Sequence, residues 1–285
     1  MRSETIIFMK GGFSMTKDDL VGLICERITR NHEELCRAFS QRHDVTGTRF
    51  AVVEDLLPDA VAHAVYQGFP SVSDMRLLSS FRERKYTFKQ LDSTPRLLRD
   101  VTIAVQDVRV VSLVEQITGI SHQVPDPSLY AGGISTMTTG HFLNPHIDNS
   151  HDGERRHYRV LNLLYYVTPD WRPEYGGNLE LWDENVSKAL SIPSRFNSLV
   201  IMETNRRSWH SVSPIVHAGR RCCVSNYYFS KQSPEGRDYF HVTSFCARPE
   251  QRYRRAVSLV DNLARNGLRK IWRYGLGRTD VYKPQ

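Results

Sequence analysis

The spacing of apolar residues changes near Leu129, and this change constrains the fold more than any other feature of the sequence. Before it, apolar residues recur at helical intervals. After it, they form short runs rich in β-branched and aromatic residues, separated by turn residues such as Gly176-Gly177. Such a series of short strands predicts a sandwich or a double-sheet jelly roll. The predicted strands are residues 134–137, 141–147, 160–167, 178–182, 198–202, 209–212 and 222–229.

The segments on either side of this stretch have helical spacing, so the predicted fold class is α+β, with a jelly-roll core flanked by N-terminal and C-terminal helices. Residues 81–93 are charged and aromatic without a clean period, which predicts a loop or a partly ordered lid. We divide the chain into an N-terminal helical region with one strand (1–125), the β core (126–245) and a basic C-terminal helix (246–285), and expect one structural domain. The predicted flanking elements are helices at 17–43, 55–68 and 95–120, a strand at 49–54, and a helix after Pro249.

The net charge of +7 is concentrated near the C-terminus. Residues 248–283 contain ten Lys or Arg residues and three acidic residues, which accounts for the whole excess. A basic segment of this kind suits contact with an anionic surface, either lipid or nucleic acid. It is equally compatible with a solvated helix face, and the charge alone does not decide between them.

Several sequence features predict a cytoplasmic protein. No apolar run approaches the roughly 18 residues that a transmembrane helix needs, so we expect no transmembrane segment. The first residues lack the charged, apolar and small-residue order of a signal peptide, and Met15 is an alternative to Met1 as the start. Five cysteines without a Cys-x-x-Cys pair favour reduced packing residues over disulfides or a zinc site.

A candidate metal site begins in the second predicted strand. His146 and Asp148 are two residues apart there, so their side chains project from the same face. With His210 from a later strand, they would place two imidazoles and one carboxylate on one side of an octahedral ion. That arrangement leaves three positions open, as non-haem Fe(II) oxygenases require. A second pair, His32-x-Glu34, lies in a predicted helix and is discarded.

A candidate anion site follows on the last predicted strand, where Arg220 and Arg221 come after a turn that contains Gly219. A guanidinium group can bind a carboxylate through two parallel hydrogen bonds. Because neighbouring residues of a strand face opposite sides, only one of the two arginines can share a face with the metal site.

These stretches together resemble the double-stranded β-helix core of the Fe(II)/2-oxoglutarate oxygenase superfamily, specifically its prolyl-4-hydroxylase-like branch. They keep the order and the approximate spacing of that branch. The matching motifs are His146 to Asn149, Leu163 to Val167 with Asp170-Trp171, Gly176 to Leu181, His210 to Pro214, and Gly219 to Phe229.

The resemblance implies Fe(II), 2-oxoglutarate and O2 as cofactors, with ascorbate as a candidate stimulant. It implies that His146, Asp148 and His210 are the catalytic iron ligands, and that Arg221 rather than Arg220 holds 2-oxoglutarate. The other residues that it implies for the 2-oxoglutarate pocket are Tyr166, Asn162, Leu164, Leu179, Ser225 and Tyr227, the last standing where the branch often has tryptophan.

The resemblance also narrows the reaction. Asp148 keeps the carboxylate ligand, which favours hydroxylation over halogenation. The nucleic-acid demethylase branch has a second arginine six residues after the first, whereas Asn226 and Tyr227 stand here, so base dealkylation is disfavoured. The candidate substrate contacts are Asn149, Arg155, Arg156 and His141, which lie close to the metal motif in the sequence.

We therefore expect hydroxylation of an unactivated carbon of a small or carrier-borne metabolite, with release of succinate and CO2. Peptidyl-prolyl hydroxylation is the alternative within the class. Two alternatives lie outside the class: one is a catalytically inactive jelly roll that binds a ligand, and the other is a zinc hydrolase. The complete ligand set disfavours the first of these, and the second does not explain Arg221.

Overall fold

The computed structural model describes residues 15–130 and 132–251, together with Arg255 and Tyr282. Within these residues, thirteen strands form one curled antiparallel sheet, and five α-helices accompany it. The helices are α1 (Lys17–Arg30), α2 (His32–Ser40), α3 (Asp59–Gln67), α4 (Arg96–Ala104) and α5 (Val108–Thr118). The strands are β1 (Phe50–Val53), β2 (Arg76–Ser79), β3 (Glu83–Phe88), β4 (Gln123–Pro125), β5 (Gly133–Thr138), β6 (Phe142–Ile147), β7 (Tyr158–Tyr166), β8 (Leu179–Trp182), β9 (Ala189–Ile192), β10 (Ser198–Glu203), β11 (His210–Val212), β12 (Arg220–Ser230) and β13 (Ser244–Phe245).

The sheet consists of two runs of strands that β3 joins. One run has the order β1-β10-β7-β12-β5, and the other has the order β6-β11-β8-β9. Strand β3 pairs with both β5 and β6, while β2, β4 and β13 extend the sheet at β3, β12 and β6. The jelly-roll core with flanking N-terminal helices, expected from the sequence, is confirmed.

The first run has two apolar faces that serve different purposes. Its outer face, including Leu163, Tyr165 and Ile201, packs with the apolar sides of the five helices in one large buried cluster. Its inner face, including Leu164 and Val200, packs against Leu179 and Leu181 of the second run. The helices therefore stabilise one side of the sheet, and the space between the two runs is left for a cavity.

Both long predicted helices are divided in two. Residue Asn31 leaves helical geometry between α1 and α2, and Asp107 begins α5 by accepting a hydrogen bond from the backbone N–H of Arg109. An Asp side chain at a helix start satisfies a backbone donor that has no partner within the helix. Gly119 ends α5 with a φ of +66°, a left-handed conformation that favours glycine.

The prediction of a loop at residues 81–93 was wrong. Six of its thirteen residues form strand β3, which pairs with Tyr86 opposite Thr136 on β5 and with Glu83 opposite Leu143 on β6. Charged residues occur on both of its faces, and the aromatic face of Tyr86 and Phe88 begins with Arg84, so the sequence lacks a clear apolar alternation that would reveal the strand. Its pairing depends on partners distant in the sequence.

Strands β2, β4, β9 and β13 were also not predicted; all are four residues or shorter. The predicted C-terminal helix and the predicted start at Met1 or Met15 lie mostly outside the described residues. The division at residues 125 and 245 stays a prediction.

Asn197 connects the turn before β10 to the segment before α3. Its side chain accepts hydrogen bonds from the Leu57 N–H at 3.1 Å and the Tyr165 hydroxyl at 2.9 Å, and donates one to the Leu57 carbonyl at 2.6 Å. The side chain is fully buried, and its φ of +59° suits asparagine better than most residues. One side chain thus holds helix α3 against the sheet.

We predict that Asn197→Ala lowers the free energy of unfolding by about 3 kcal/mol, because it leaves buried polar groups of Leu57 without partners. Urea unfolding monitored by circular dichroism measures the change. Arg195→Ala is the control: Arg195 pairs with Glu54 at 2.7 Å on the surface, and exposed pairs contribute less than about 1 kcal/mol. Equal effects of the two substitutions would contradict the role given to Asn197.

Candidate metal centre and active site

Cross-strand pairing brings the two candidate histidines together. His210 on β11 lies directly opposite His146 on β6, and their ring centroids are 4.1 Å apart. Asp148 follows β6 by one residue, with Oδ1 3.7 Å from Nε2 of His146 and Oδ2 3.5 Å from Nε2 of His210. The three ligand atoms lie within 4.8 Å of one another, so a single ion can contact all three.

Backbone carbonyl groups orient both imidazoles. Nδ1 of His146 lies 3.0 Å from the Asn144 carbonyl oxygen, and Nδ1 of His210 lies 2.9 Å from that of Ser208. A carbonyl can only accept, so each Nδ1 carries the proton and each Nε2 offers its lone pair to the common point. Metal-binding histidines are commonly oriented in this way.

The surroundings keep these groups in the forms that bind metals. Burial, together with the nearby His210, lowers the pKa of His146 to about 3, so its imidazole is neutral at pH 7. Burial alone would raise the pKa of Asp148, but Arg159 and the two histidines outweigh it and hold that pKa well below its usual range. Two imidazoles and one carboxylate on one side of a cavity fit Fe(II).

Arg221 lies in the same cavity as this metal cluster. Its guanidinium group is over the ring of Tyr166 at 4.6 Å, and its Nε lies 3.3 Å from Oγ of Ser194. The side chain is 4% exposed and has no carboxylate within 4.0 Å among the described residues. The Tyr166 hydroxyl beside it is also buried without a hydrogen-bond partner. Because a buried cation without a counter-charge is costly, this pair of groups fits an incoming carboxylate.

The backbone at Gly176 lies very close to the next loop. A Cβ there would be 2.0 Å from the Pro214 carbonyl oxygen, so this position of the Gly-Gly motif requires glycine.

Two residues near Arg221 compare differently with the sequence prediction. Ser194, which contacts Arg221, was not predicted, because a serine in a turn carries no periodic signal. Arg220 points away from the cavity, with its guanidinium 4.8 Å from the ring of Tyr66, so it lies on the other side of the sheet.

The cavity has a volume of about 1030 Å³ and lies between the two runs of strands. Asn162 donates a hydrogen bond to Oδ2 of Asp148 at 2.8 Å, so it contacts a candidate metal ligand as well as the cavity. The predicted pocket residues Asn162, Leu164, Leu179, Ser225 and Tyr227 all line the cavity with the three candidate metal ligands and Arg221.

The four candidate substrate contacts are placed differently from one another. Asn149 lines the cavity. His141 is buried immediately before β6, with its ring against that of Tyr86. Arg155 stacks over Phe240, and Arg156 pairs with Glu154. None of these last three is among the described residues that line the cavity. Residues of the β2–β3 hairpin form its outer wall instead; they are Arg76, Leu78, Ser80, Arg82, Glu83, Lys85 and Thr87.

Comparison with known proteins agrees with this arrangement. Residues 132–229, from the start of β5 to the end of β12, match the 2OG-Fe(II) oxygenase superfamily model. Residues 132–229 are therefore similar to the 2OG-Fe(II) oxygenase superfamily. The matched segment contains all three metal-cluster residues and Arg221. No described helix is long and apolar enough to cross a membrane.

The chain is also similar to prolyl hydroxylases. A curated relative, prolyl 3-hydroxylase OGFOD1 of Xenopus laevis, is 34% identical over 103 residues, which are 33% of this chain. The chain spans about a fifth of the length of that relative, 20%. A prolyl 4-hydroxylase structure from Phytophthora capsici has a TM-score of 0.54 at 13% identity, covering 92% of this chain and 80% of that one. One from Pseudomonas putida has a TM-score of 0.50 at 13% identity, covering 69% and 98%. These similarities support the double-stranded β-helix fold for the β core.

We predict that His210→Ala weakens Fe(II) binding by more than about 100-fold, because two remaining protein ligands hold the ion poorly. Anaerobic titration with Fe(II), followed by calorimetry, measures the affinity. The control is His32→Ala, since His32 belongs to the discarded His-x-Glu pair on α2. Unchanged Fe(II) affinity in the His210 variant would disprove the metal site.

We predict that Arg221→Ala raises the 2-oxoglutarate concentration for half-maximal binding by at least about 30-fold, because it removes a buried cation aimed at the ligand. Arg220→Ala is the matched control and should change that concentration little. The measurement is a 2-oxoglutarate titration of each metal-loaded variant. A larger effect from Arg220→Ala would show that the assignment is shifted by one residue.

Proposed function

We propose that this protein is an Fe(II)- and 2-oxoglutarate-dependent dioxygenase that hydroxylates an unactivated carbon of a small or carrier-borne metabolite. One observation carries the proposal. The buried guanidinium of Arg221 has no carboxylate partner among the described residues, and it lies in the same cavity as the His146, Asp148 and His210 cluster. A zinc hydrolase would need the cluster alone and would leave that cation unexplained.

The proposed roles follow from the positions of the residues. His146, His210 and Asp148 hold the metal from one side and leave its cavity side open. Arg221 and the Tyr166 hydroxyl bind the distal carboxylate of 2-oxoglutarate and so fix the direction in which its keto acid end points. When bound, Fe(II) and 2-oxoglutarate supply the oxidising chemistry, in which O2 gives one oxygen atom to succinate and one to the substrate C–H bond, with loss of CO2.

Apolar side chains around the cluster restrict water. Leu164, Leu179 and Val212 line the same cavity as the metal cluster and Arg221. An apolar wall there excludes water from a reactive centre, which limits side reactions. The protein's contribution is therefore orientation and exclusion of water.

The outer wall supports a polar, compact substrate. The β2–β3 hairpin contributes charged residues of both signs there, including Glu83 and Lys85, which pair at 3.0 Å and are each 24% exposed. Polar groups in a cleft give orientation and specificity to small ligands. We therefore prefer a small metabolite, either free or attached to a carrier.

Peptidyl-prolyl hydroxylation is the second candidate. Its support is the set of relatives, which includes a prolyl 3-hydroxylase and two prolyl 4-hydroxylase structures. Formation of succinate separates the two. Turnover with a small-metabolite fraction or with a loaded carrier protein, but not with proline-containing peptides, supports the first proposal, and the reverse result replaces it.

We predict that the apoprotein, titrated anaerobically with Fe(II) and then with 2-oxoglutarate, develops a weak visible charge-transfer band that scales with Fe(II). The band requires chelation of the metal by the keto acid. Arg221→Ala at the same 2-oxoglutarate concentration should show much less of it. Iron binding without the band in the unmodified protein would contradict the proposed co-substrate, and no iron binding would favour an inactive binding protein.

A further inference from the structure

Arg159 is a completely buried arginine beside the metal cluster, and its side chain is 1% exposed. Its Nη1 lies 3.3 Å from Oδ2 of Asp148. Its guanidinium group stacks over the ring of Tyr227 at 4.1 Å and lies 5.6 Å from that of Phe229. Among the described residues, Asp148 supplies the one carboxylate within 4.0 Å of this cation.

A β-bulge aims Arg159 at this position. On β7, Asn162 pairs with Tyr227 of β12, but Arg159 pairs with Phe229, and the register shifts between Tyr228 and Phe229. The shift places an extra residue, Val160, on β7 and changes the alternation of side chains along that strand. Arg159 therefore shares the inner side with Asn162, although strict alternation would place it outside. Bulges commonly redirect a side chain next to an active site.

The carboxylate of Asp148 is held unequally at its two oxygens. Both oxygens lie near an imidazole: Oδ1 is 3.7 Å from Nε2 of His146, and Oδ2 is 3.5 Å from Nε2 of His210. Oδ2 also accepts a hydrogen bond from Asn162 at 2.8 Å and pairs with Arg159 at 3.3 Å. We propose that Arg159 is a positioning residue which, together with Asn162, occupies Oδ2 and so leaves Oδ1 as the oxygen free to bind a metal ion. This inference rests on the proposed function.

Single-oxygen binding has a consequence for the open positions of the metal. Two imidazoles and one carboxylate oxygen leave three positions of an octahedral ion. A 2-oxoglutarate chelate would occupy two of them, and O2 would need the third. If Asp148 bound through both oxygens, its second oxygen would compete with the co-substrate. Arg159 thus keeps the metal accessible to 2-oxoglutarate.

A role in packing alone predicts something different. Burying a guanidinium group carries a desolvation penalty of several kcal/mol, and an apolar side chain of similar volume often replaces such a group without loss of stability. None of the three guanidinium nitrogens of Arg159 has a hydrogen-bond partner of good geometry among the described residues. An apolar side chain could reproduce neither the charged contact with Asp148 nor the stacking of a cation on Tyr227, and of these two contacts the one with Asp148 involves a candidate metal ligand.

The experiment uses the full chain loaded with Co(II), whose visible spectrum reports coordination. We expect Arg159→Met to retain Co(II), because a positive charge near the ion is removed, to have an altered Co(II) spectrum, and to bind 2-oxoglutarate at least about 10-fold more weakly. Arg159→Lys, which keeps a cation, should recover much of the 2-oxoglutarate affinity. Arg248→Met is the matched control: Arg248 is a second buried arginine, paired with Glu180 at 2.6 Å, and its loss should change neither the Co(II) spectrum nor the 2-oxoglutarate affinity.

An unchanged spectrum and unchanged 2-oxoglutarate affinity in Arg159→Met would overturn the inference and leave Arg159 as a packing residue. If that variant does not fold, Asn162→Leu removes the other contact to Oδ2 without removing a buried charge. It should weaken 2-oxoglutarate binding in the same direction, and unchanged affinity there overturns the inference as well. Failure of the unmodified Co(II) protein to bind 2-oxoglutarate would instead overturn the proposed function.

Discussion

The pairing of His146 with His210 across β6 and β11 is the constraint on which the candidate active site depends. Directly opposed residues on antiparallel strands have their side chains within a few ångströms, so the register of one strand pair sets the separation of two ligands. A shift of one residue would send one imidazole to the opposite face of the sheet. The neighbouring pairs of β11 with β8 and of β6 with β13 fix that register from both sides.

The central strands β7 and β12 separate two environments. Their outer residues belong to the large apolar cluster shared with the helices, and their inner residues carry Asn162, Arg221 and Tyr227 into the cavity. A polar inner face is unfavourable for folding unless the other face contributes enough apolar burial. The helices α1 to α5 supply that burial, and none of their residues is among the described residues that line the cavity.

Strict alternation explains which parts of the site could be predicted from the sequence. Arg221, Ser225 and Tyr227 follow alternate positions of β12, and Asn162, Leu164 and Tyr166 do the same on β7, so the sequence places them on one face correctly. The position of Arg159 could not be predicted in this way, because the bulge near Tyr228 changes the alternation. Strand β3 was not predicted because both of its faces are polar or aromatic. The break at Asn31 was not predicted because the apolar stripe continues across it. The identity of the ligands is thus local information in the sequence, whereas the cavity wall depends on pairing between distant segments.

Arg221, which has no carboxylate partner in the part of the chain that the structure describes, has a consequence for the choice of ligand. A guanidinium group that receives one terminal carboxylate detects the charge and the distance of that carboxylate, but not the chemistry at the other end of the molecule. Succinate, fumarate and other four- or five-carbon diacids present the same terminal group. The preference for 2-oxoglutarate over these diacids must therefore come from the metal, because chelation needs two adjacent oxygens at the other end of the ligand. We expect the protein to sense the ratio of 2-oxoglutarate to competing diacids in its surroundings.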